Sequence, residues 1–289
     1  MPHRNWQQAN AAFSDHAAAE RQFTSQVGPV LSDAEAEGLI VSWFFLRKQQ
    51  WRLRWLPASP AASAAFVTTL TSATPSLTWT SVNCEFESLA FGGDSGMTAA
   101  CDLFRADSHH LLRWLGNPRR PLGQRETSVL LCGALLRGAG LDWFEQGDVW
   151  ARVAALRPHR AAIPGAPGHA GSLHDAMRTL MTADSNALSN PAQAGPLPGY
   201  REWITSFGHA GQILADLHDN GQLARGLRAV LAHHLIFHFN RAGFSGTEQA
   251  TMAALACNVV FHDHPHDRRN PGRGGRQALR PDPADPPPS

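Results

Sequence analysis

The chain has 289 residues, a hydrophobic content of 43% and a formal net charge of +1. These values favour a globular fold with an ample core, and they exclude a protein that is drawn to nucleic acid by its overall charge. No apolar run approaches the length of a membrane-spanning helix, and the opening stretch MPHRNWQQANAAF lacks the apolar segment of a secretion signal.

The cysteines are scattered singly along the chain, without a C-x-x-C pair. Isolated thiols in a chain without a signal peptide indicate a reducing compartment, so the predicted location is the cytoplasm. The same spacing argues against a disulfide framework and against a zinc site. These cysteines are Cys84, Cys101, Cys132 and Cys257.

Strands and helices are predicted to alternate in the N-terminal part of the chain. Residues 1–38 are expected to form a helical lead-in. Residues 39–56 are rich in aromatic and β-branched residues, which predicts two strands or one long bent strand. A helix opened by a proline follows at 60–73, and the Thr, Val, Trp and Phe residues of 76–88 predict another strand.

The stretch WRLRW alternates with a period of two, which is the period of side chains along a strand. It therefore places Trp51, Leu53 and Trp55 on one face and Arg52 and Arg54 on the other. Two guanidinium groups on one strand face either form an exposed polar surface or bind an anion.

Helices dominate from about Met97 onward. Asp107 or Ser108 is expected to cap one of them at its N-terminus, and Gly116 is expected to end it. Further on, Ser245 and Glu248 have the spacing of a capping box at the start of a last helix.

The predicted fold class is α+β, with an N-terminal antiparallel sheet packed against a larger helical part in a single domain. That domain is expected to span residues 39–262. The tail at 263–289 is rich in Pro, Arg and Gly and is expected to be disordered. The tract HDHPHD at 262–267 begins this tail, so adventitious metal binding is favoured there over a true metal site.

A polar stripe runs along the apolar stretch AHHLIFHFNRAGF, residues 232–244. On a helix, His234, His238 and Arg241 share one face, and Gly243 is suited to end the helix. Such a stripe is either a set of hydrogen-bonded groups in a crowded core or the floor of a polar pocket. In the pocket interpretation, Glu87 from the preceding sheet region joins it.

Three stretches taken together resemble a known family. In chain order they are WFFLRKQQWRLRW, CEFESLAFGGDSGMTAACDLFRADSHHLLRWL and HHLIFHFNRAGFSGTEQATMA. They are similar to the C-terminal, SpaB-type domain of lantibiotic dehydratases, and to its stand-alone form, called thiopeptide-type bacteriocin biosynthesis protein. The resemblance covers about residue 40 to about residue 261.

This resemblance implies chemistry on a ribosomally made precursor peptide that consists of a leader and a core. In split dehydratases of this kind, a partner subunit transfers glutamate from glutamyl-tRNA to Ser or Thr. The SpaB-type protein then eliminates the glutamate and leaves dehydroalanine or dehydrobutyrine. The implied partners are this peptide and the glutamylating subunit. No cofactor, metal, membrane or direct nucleic-acid contact is expected, and a homodimer stays an open option.

The family motifs also mark residues, and two of them are altered here. The motif E-x-x-R-[YF]-G-G begins at Glu87 and has Ala90 in place of the arginine. The motif H-x-H-x-N-R has Ile236 in place of its first histidine. The candidate catalytic residues are His238, Arg54, Arg52, Glu87 and Arg241, and the candidate substrate-binding residues are His234, Asn240, Gly92, Gly93, Asp107 and Ser108.

Three functions are compatible with this pattern. The first is glutamate elimination with His238 or His234 as the base. The second is the [4+2] cycloaddition that forms the pyridine of thiopeptides, or another tailoring reaction on the same scaffold. The third is a subunit that binds the precursor peptide or the partner without catalysis. In each case the peptide is expected to add a strand to an exposed sheet edge at 39–47 or 76–86.

Overall fold

The computed structural model describes residues 5–13, 15, 18–48, 50–157, 169–184, 187–188 and 197–261. A four-stranded antiparallel sheet is packed against a larger set of helices, which confirms the predicted α+β class. The strands are β1 (Gln7–Phe13), β2 (Ile40–Lys48), β3 (Gln50–Pro57) and β4 (Leu77–Val82). The helices are α1 (Ala19–Gln22), α2 (Gly28–Ala36), α3 (Pro60–Ala73), α4 (Asp94–Gly116), α5 (Gln124–Gly138), α6 (Trp143–Leu156), α7 (His169–Thr182), α8 (Arg201–Asp219), α9 (Leu227–Ala242) and α10 (Gly246–Phe261), with a π-helical turn at Phe23–Val27 and a 3-10 turn at Pro198–Tyr200.

The sheet has the order β2-β3-β1-β4, so β1 is a central strand. This corrects the expectation of a purely helical lead-in over 1–38, because that segment supplies β1 before it forms α1 and α2. The sequence of β1, QQANAAF, has low strand propensity. It becomes a strand because β3 and β4 pair with it on both sides and bury Ala9, Ala11 and Phe13.

The two faces of β3 follow the predicted alternation. Trp51, Leu53 and Trp55 are buried against the main core, and Arg52 and Arg54 lie on the opposite face. The expected strand pair at 39–56 is present as β2 and β3, and the two strands meet at a tight connection. A smaller aromatic cluster covers one end of the second face of the sheet. Its buried aromatic members are Trp6, Phe44, Phe91 and Phe104.

One long helix, α4, runs through the point where a helix was expected to begin at Asp107 or Ser108. Asp107 and Ser108 lie in its interior and are fully buried, so neither caps a helix. Gly116 is its last residue, as predicted. Ser108 contacts the sheet, since the backbone N–H of Phe45 donates to its Oγ at 3.2 Å.

The helices α5 and α8 cross in close contact through glycines. A Cβ atom at Gly138 would overlap the carbonyl oxygen of Gly208, and one at Gly211 would overlap the carbonyl oxygen of Leu135. Farther along, the capping box predicted for α10 is present. The Ser245 N–H donates to Glu248 Oε2 at 3.0 Å, and the Glu248 N–H donates to Ser245 Oγ at 3.2 Å.

None of the helices in the described ranges is both long and apolar enough to cross a membrane. All four cysteines are free thiols. The tail expected to be disordered at 263–289 and the tract HDHPHD at 262–267 lie outside the described residues.

Candidate functional site

A buried carboxylate, Asp107, joins three of the helices. Its Oδ1 accepts a hydrogen bond from Trp203 Nε1 at 2.9 Å. Its Oδ2 lies 2.9 Å from His238 Nδ1 and accepts a hydrogen bond from Arg241 Nε at 2.6 Å. Since Asp107 lies on α4, Trp203 on α8 and the other two on α9, this carboxylate fixes the relative positions of these helices.

His238 extends this network to a fourth helix, because its Nε2 lies 2.9 Å from the Oγ of Ser128 on α5. Burial alone would raise the pKa of Asp107, but the neighbouring charges of His238 and Arg241 and their hydrogen bonds lower it to about 2. The carboxylate therefore stays ionised. The order Asp–His–Ser is that of a nucleophilic triad, yet all three side chains are buried and both nitrogens of His238 are occupied.

His234 is buried one turn before His238 and contacts aromatic rings. Its ring centroid lies 5.0 Å from that of Phe91 and 6.0 Å from that of Phe104. Neither ring nitrogen has a hydrogen-bond partner among the described residues. Burial first, and then the charge of Arg241, lowers the pKa of His234 to about 3, so this imidazole is neutral at pH 7.

The stripe of His234, His238 and Arg241 thus lies beneath aromatic side chains and does not point into bulk solvent. Arg241 places its guanidinium carbon 4.3 Å from the centroid of the Phe104 ring. Its ion pair is with Asp107. The expectation that Glu87 joins this stripe is corrected, because Glu87 is exposed and the buried carboxylate belongs to α4. This explains the polar stripe as a set of contacts between buried helices.

Other predicted site residues connect elements of the fold. Asn240 Oδ1 accepts a hydrogen bond from Gln249 Nε2 at 3.0 Å, which ties α9 to α10. Gly92 and Gly93 have φ angles of 85° and 98°, a region that glycine adopts without strain. The carbonyl oxygen of Gly92 accepts a hydrogen bond from the N–H of Ala224 at 2.8 Å. These glycines therefore allow the segment before α4 to contact the connection between α8 and α9.

The two arginines of β3 differ in their surroundings. Arg54 is buried, and it donates from Nε to Gln8 Oε1 at 2.7 Å and from Nη2 to the carbonyl oxygen of Glu85 at 2.9 Å. Arg52 is half-buried, and its Nε has no hydrogen-bond partner in the part of the chain that is described. Arg52 lies opposite Asn10 of β1, which in turn lies opposite the exposed Thr80 of β4.

A second set of polar groups lies at the segment 83–93, which connects β4 to α4. Glu87 is exposed on this segment, and the carbonyl oxygen of Ala90 accepts a hydrogen bond from Arg225 Nη1 at 3.1 Å. The same Nη1 lies 3.3 Å from Nδ1 of the half-buried His233. We call Glu87, Arg225 and His233 the surface cluster.

Neither Arg225 nor His233 was among the site residues predicted from the sequence. A helical wheel of α9 would have separated His233 and Phe237, which are half-exposed, from the buried stripe on the adjacent face. Arg225 lies in a connection between helices and has no sequence signal of its own. Cavities elsewhere in the fold do not involve the predicted residues. One of about 370 Å³ is lined by His110, Arg113, Tyr200 and Trp203, and an apolar one of about 390 Å³ lies between α5, α7 and α10.

Comparisons with known proteins agree on the fold. A family model described as the C-terminal region of lantibiotic biosynthesis dehydratases matches residues 6–260. The structure is similar to that of the tRNA-dependent lantibiotic dehydratase MibB from Microbispora sp. 107891, with a TM-score of 0.65 and 18% identity over 92% of this chain. The match covers only 29% of that dehydratase.

Two solved structures of similar size also match. One is TsrL, with a TM-score of 0.58 and 16% identity over 88% of this chain and 94% of that chain. The other is the pyridine synthase TbtD from thiomuracin biosynthesis, with a TM-score of 0.63 and 11% identity over 89% of this chain and 98% of that chain. No curated protein matches the sequence.

Proposed function

Because the chain belongs to the family of the C-terminal region of lantibiotic biosynthesis dehydratases, we propose that it modifies a ribosomally made precursor peptide in lanthipeptide or thiopeptide biosynthesis. The proposed reaction is the elimination of glutamate from glutamylated Ser or Thr, which leaves a dehydroamino acid. The chain spans 29% of the full-length dehydratase that it resembles. In this proposal a partner subunit attaches the glutamate from glutamyl-tRNA.

The observation that carries this proposal is the half-buried Arg52, whose guanidinium is not fully hydrogen-bonded. Its guanidinium is half-buried on a sheet face that also carries Asn10 and Thr80, and its Nε has no partner within the described ranges. A guanidinium presents a planar fork of donors that matches a carboxylate, and glutamate leaves its peptide as a carboxylate. Arg54 lies two residues further along β3 on the same face and adds a fixed positive charge.

The base of the reaction has to be reachable by a peptide. His238 is buried with both nitrogens in hydrogen bonds, and His234 is buried beneath Phe91 and Phe104. We therefore assign to His238, Arg241 and Asp107 the role of fixing α9, and we look for the proton acceptor in the surface cluster. Proton removal by a positioned side chain contributes about 10²–10⁴-fold to the rate of such a step.

A second candidate function is supported by two residues of this chain. Ala90 and Ile236 stand where the family motifs carry an arginine and a histidine, and Ile236 is buried in an apolar environment. The chain also covers 98% of the pyridine synthase TbtD. The second candidate is accordingly a cycloaddition-type reaction on a peptide that is already dehydrated.

The experiment supplies purified protein with a precursor peptide that its partner has glutamylated, and follows peptide mass. Elimination gives loss of the glutamyl group and one unsaturated residue. We expect Arg52→Gln to slow this conversion about 10²-fold or more, because a carboxylate-binding group is lost. The matched control is Arg105→Gln, since Arg105 is exposed on α4 and its ion pair among the described residues is with Glu35 at 3.1 Å.

The other outcomes separate the alternatives. A protein that leaves the glutamylated peptide unchanged but changes the mass of a fully dehydrated peptide is a cycloaddition-type enzyme. A protein that alters neither peptide yet accelerates glutamylation by the partner is a binding subunit.

A further inference from the structure

The surface cluster combines an imidazole, a guanidinium and a carboxylate from three parts of the chain. His233 lies on α9, Arg225 lies in the connection before α9, and Glu87 lies in the segment before α4. The hydrogen bond from Arg225 Nη1 to the Ala90 carbonyl oxygen holds these parts together. His233 and Arg225 are half-buried, so the fold supports them while a peptide can still reach them.

We assign the tautomer of His233 from the shorter of its two Nδ1 contacts, since Nδ1 also lies 3.3 Å from Arg225 Nη1. Nδ1 lies 3.0 Å from the carbonyl oxygen of Ala229, one turn earlier on α9. Donation from Nδ1–H to this carbonyl leaves the lone pair on Nε2, which has no hydrogen-bond partner among the described residues. In this arrangement Arg225 acts on the imidazole through its charge, because Nδ1 already carries the proton.

Burial and two nearby positive charges keep the imidazole of His233 neutral. Burial is the first cause that lowers its pKa, and the charges of Arg225 and of Arg157 at the end of α6 act in the same direction. The hydrogen bond with Ala229 and the charge of Glu87 act in the opposite direction. On α9 itself, the neighbouring His234 is neutral. At pH 7 the Nε2 lone pair of His233 is therefore available to take a proton.

Arg225 is suited to bind an anion. Only its Nη1 is engaged, at the Ala90 carbonyl, and within the described part of the chain it forms no ion pair. The remaining nitrogens of its guanidinium are free to hold a carboxylate in bidentate fashion.

We propose that His233 is the base of the elimination and that Arg225 is a second carboxylate-binding residue besides Arg52, an assignment that rests on the proposed function above. His233 Nε2 takes the Cα proton of the glutamylated residue and becomes an imidazolium Nε2–H. The electron pair of the broken Cα–H bond forms the Cα=Cβ double bond. The Cβ–O bond breaks, and glutamate leaves as a carboxylate that Arg225 holds.

The test compares three variants with the wild-type protein on a glutamylated precursor peptide. His233→Asn keeps a donor at the place of Nδ1–H and removes the base, so we expect the elimination rate to fall about 10²–10⁴-fold while peptide affinity stays within about threefold. Arg225→Gln is expected to weaken binding of the glutamylated peptide and to leave binding of the unmodified peptide unchanged. His218→Gln, at an exposed position on α8, is the control and is expected to behave as the wild type.

The pH profile tests the link between the two residues. The wild-type rate is expected to reach a plateau near neutral pH and to decline in acid, because protonation of His233 removes the base. Arg225→Gln removes a positive charge, so the pKa of His233 rises and the midpoint of this decline moves to higher pH. A midpoint that stays in place in Arg225→Gln would show that His233 is not the group whose protonation stops the reaction.

Two results would overturn the assignment in distinguishable ways. If the wild type eliminates glutamate and a folded His233→Asn or His233→Gln variant does so equally fast, the assignment is wrong and the proposed function stands. If the wild type leaves the glutamylated peptide unchanged, the proposed function fails and the assignment fails with it. Circular dichroism of each variant establishes that it is folded.

Discussion

At the scale of single residues, the ionised carboxylate of Asp107 compensates the buried guanidinium of Arg241. The two groups are fully buried and 2.6 Å apart. A buried charge without its counterion is among the most destabilising defects of a protein core. The stability of the helical layer therefore depends on this pair, whose two side chains are fully buried.

We expect Asp107→Asn to lower the free energy of unfolding by about 3–5 kcal/mol at pH 7, because the amide keeps the shape and leaves Arg241 uncompensated. Urea denaturation measures this loss. Asp102→Asn is the matched control, since Asp102 is exposed on the same helix and its exchange is expected to change stability by less than about 0.5 kcal/mol. Equal losses in the two variants would contradict the role of the buried pair.

His234 is expected to make the protein sensitive to moderate acid. Its pKa of about 3 in the folded state lies below the value of about 6.5 in an unfolded chain, so only the unfolded state binds the proton between these values. The stability contributed by the neutral His234 is thus present above about pH 6.5 and is lost as the pH falls towards 3. His234→Leu removes two unpaired buried nitrogens and is expected to raise stability by about 1–2 kcal/mol at pH 7.

The measurement is the slope of unfolding free energy against pH between about 6.5 and 4. The slope should be smaller in His234→Leu than in the wild type. Parallel slopes in the two proteins would show that His234 does not titrate differently on folding.

The prediction that Asp107 or Ser108 caps a helix was wrong, because it considered only the local preference of these residue types. Both are preferred helix caps, and local reasoning placed them at a helix start. Their hydrogen-bond partners are Trp203, His238 and the N–H of Phe45, which are far away along the chain. A long-range carboxylate–histidine contact leaves no local pattern, so the role of Asp107 in the buried network was not predictable from spacing.

At the scale of elements, the C-terminus of α9 is held by a side chain from the sheet. Arg47 of β2 donates from Nε to the carbonyl oxygen of Arg241 at 2.7 Å and from Nη2 to that of Ala242. Gly243 follows in the left-handed region with φ 85°, as expected for a helix-ending glycine. The position of α9, and hence of His233, is therefore tied to β2.

We expect Gly243→Ala to destabilise the protein by more than the cost of a left-handed alanine, which is about 1–2 kcal/mol. The added Cβ would lie 2.6 Å from the guanidinium carbon of Arg47 and would displace this contact. Gly221→Ala is the control, because Gly221 has φ 67° and no atom within 4 Å of such a Cβ. Thermal unfolding of both variants measures how much more stability Gly243→Ala loses than Gly221→Ala. Equal losses of stability would show that Arg47 moves aside without cost.

Element type was the most predictable level of this fold. The alternation in WRLRW gave the two faces of β3, and the capping box gave the start of α10, because both signals act within a few residues. The strand β1 was missed for the opposite reason. Its residues have weak strand propensity, and only pairing with β3 and β4 makes it a strand.

At the scale of the whole molecule, we expect a precursor peptide to extend the sheet at β4, which is one of its two edge strands. The other edge strand, β2, uses the N–H of Phe45 to contact Ser108 of α4. The residues Thr78 and Thr80 of β4 are exposed. An extended peptide that pairs with β4 would lie beside the sheet face that carries Arg52.

A pair of proline variants tests this docking. Neighbouring N–H groups of a strand point in opposite directions, so one of Thr80→Pro and Ser81→Pro disrupts pairing with β1 and the other alters only the outer edge. The variant that keeps the wild-type unfolding midpoint is expected to bind the leader peptide about tenfold more weakly. Val41→Pro on β2 should bind it normally, and unchanged binding in all variants would exclude β4 as the docking edge.

All four strands of the sheet precede α4 in the sequence, and this order determines which part of the protein is synthesised first. The sheet is complete in sequence once β4 has emerged from the ribosome, whereas Arg225 and His233 follow roughly 150 residues later, which is about 7–30 s at ordinary rates of translation. The peptide-facing edge of the sheet is thus made well before the groups proposed to act on a peptide. A nascent chain has the strand proposed to pair with a precursor peptide before it has the residues proposed to change that peptide, so a ribosome that stalls ahead of α9 would release a chain that lacks the proposed base.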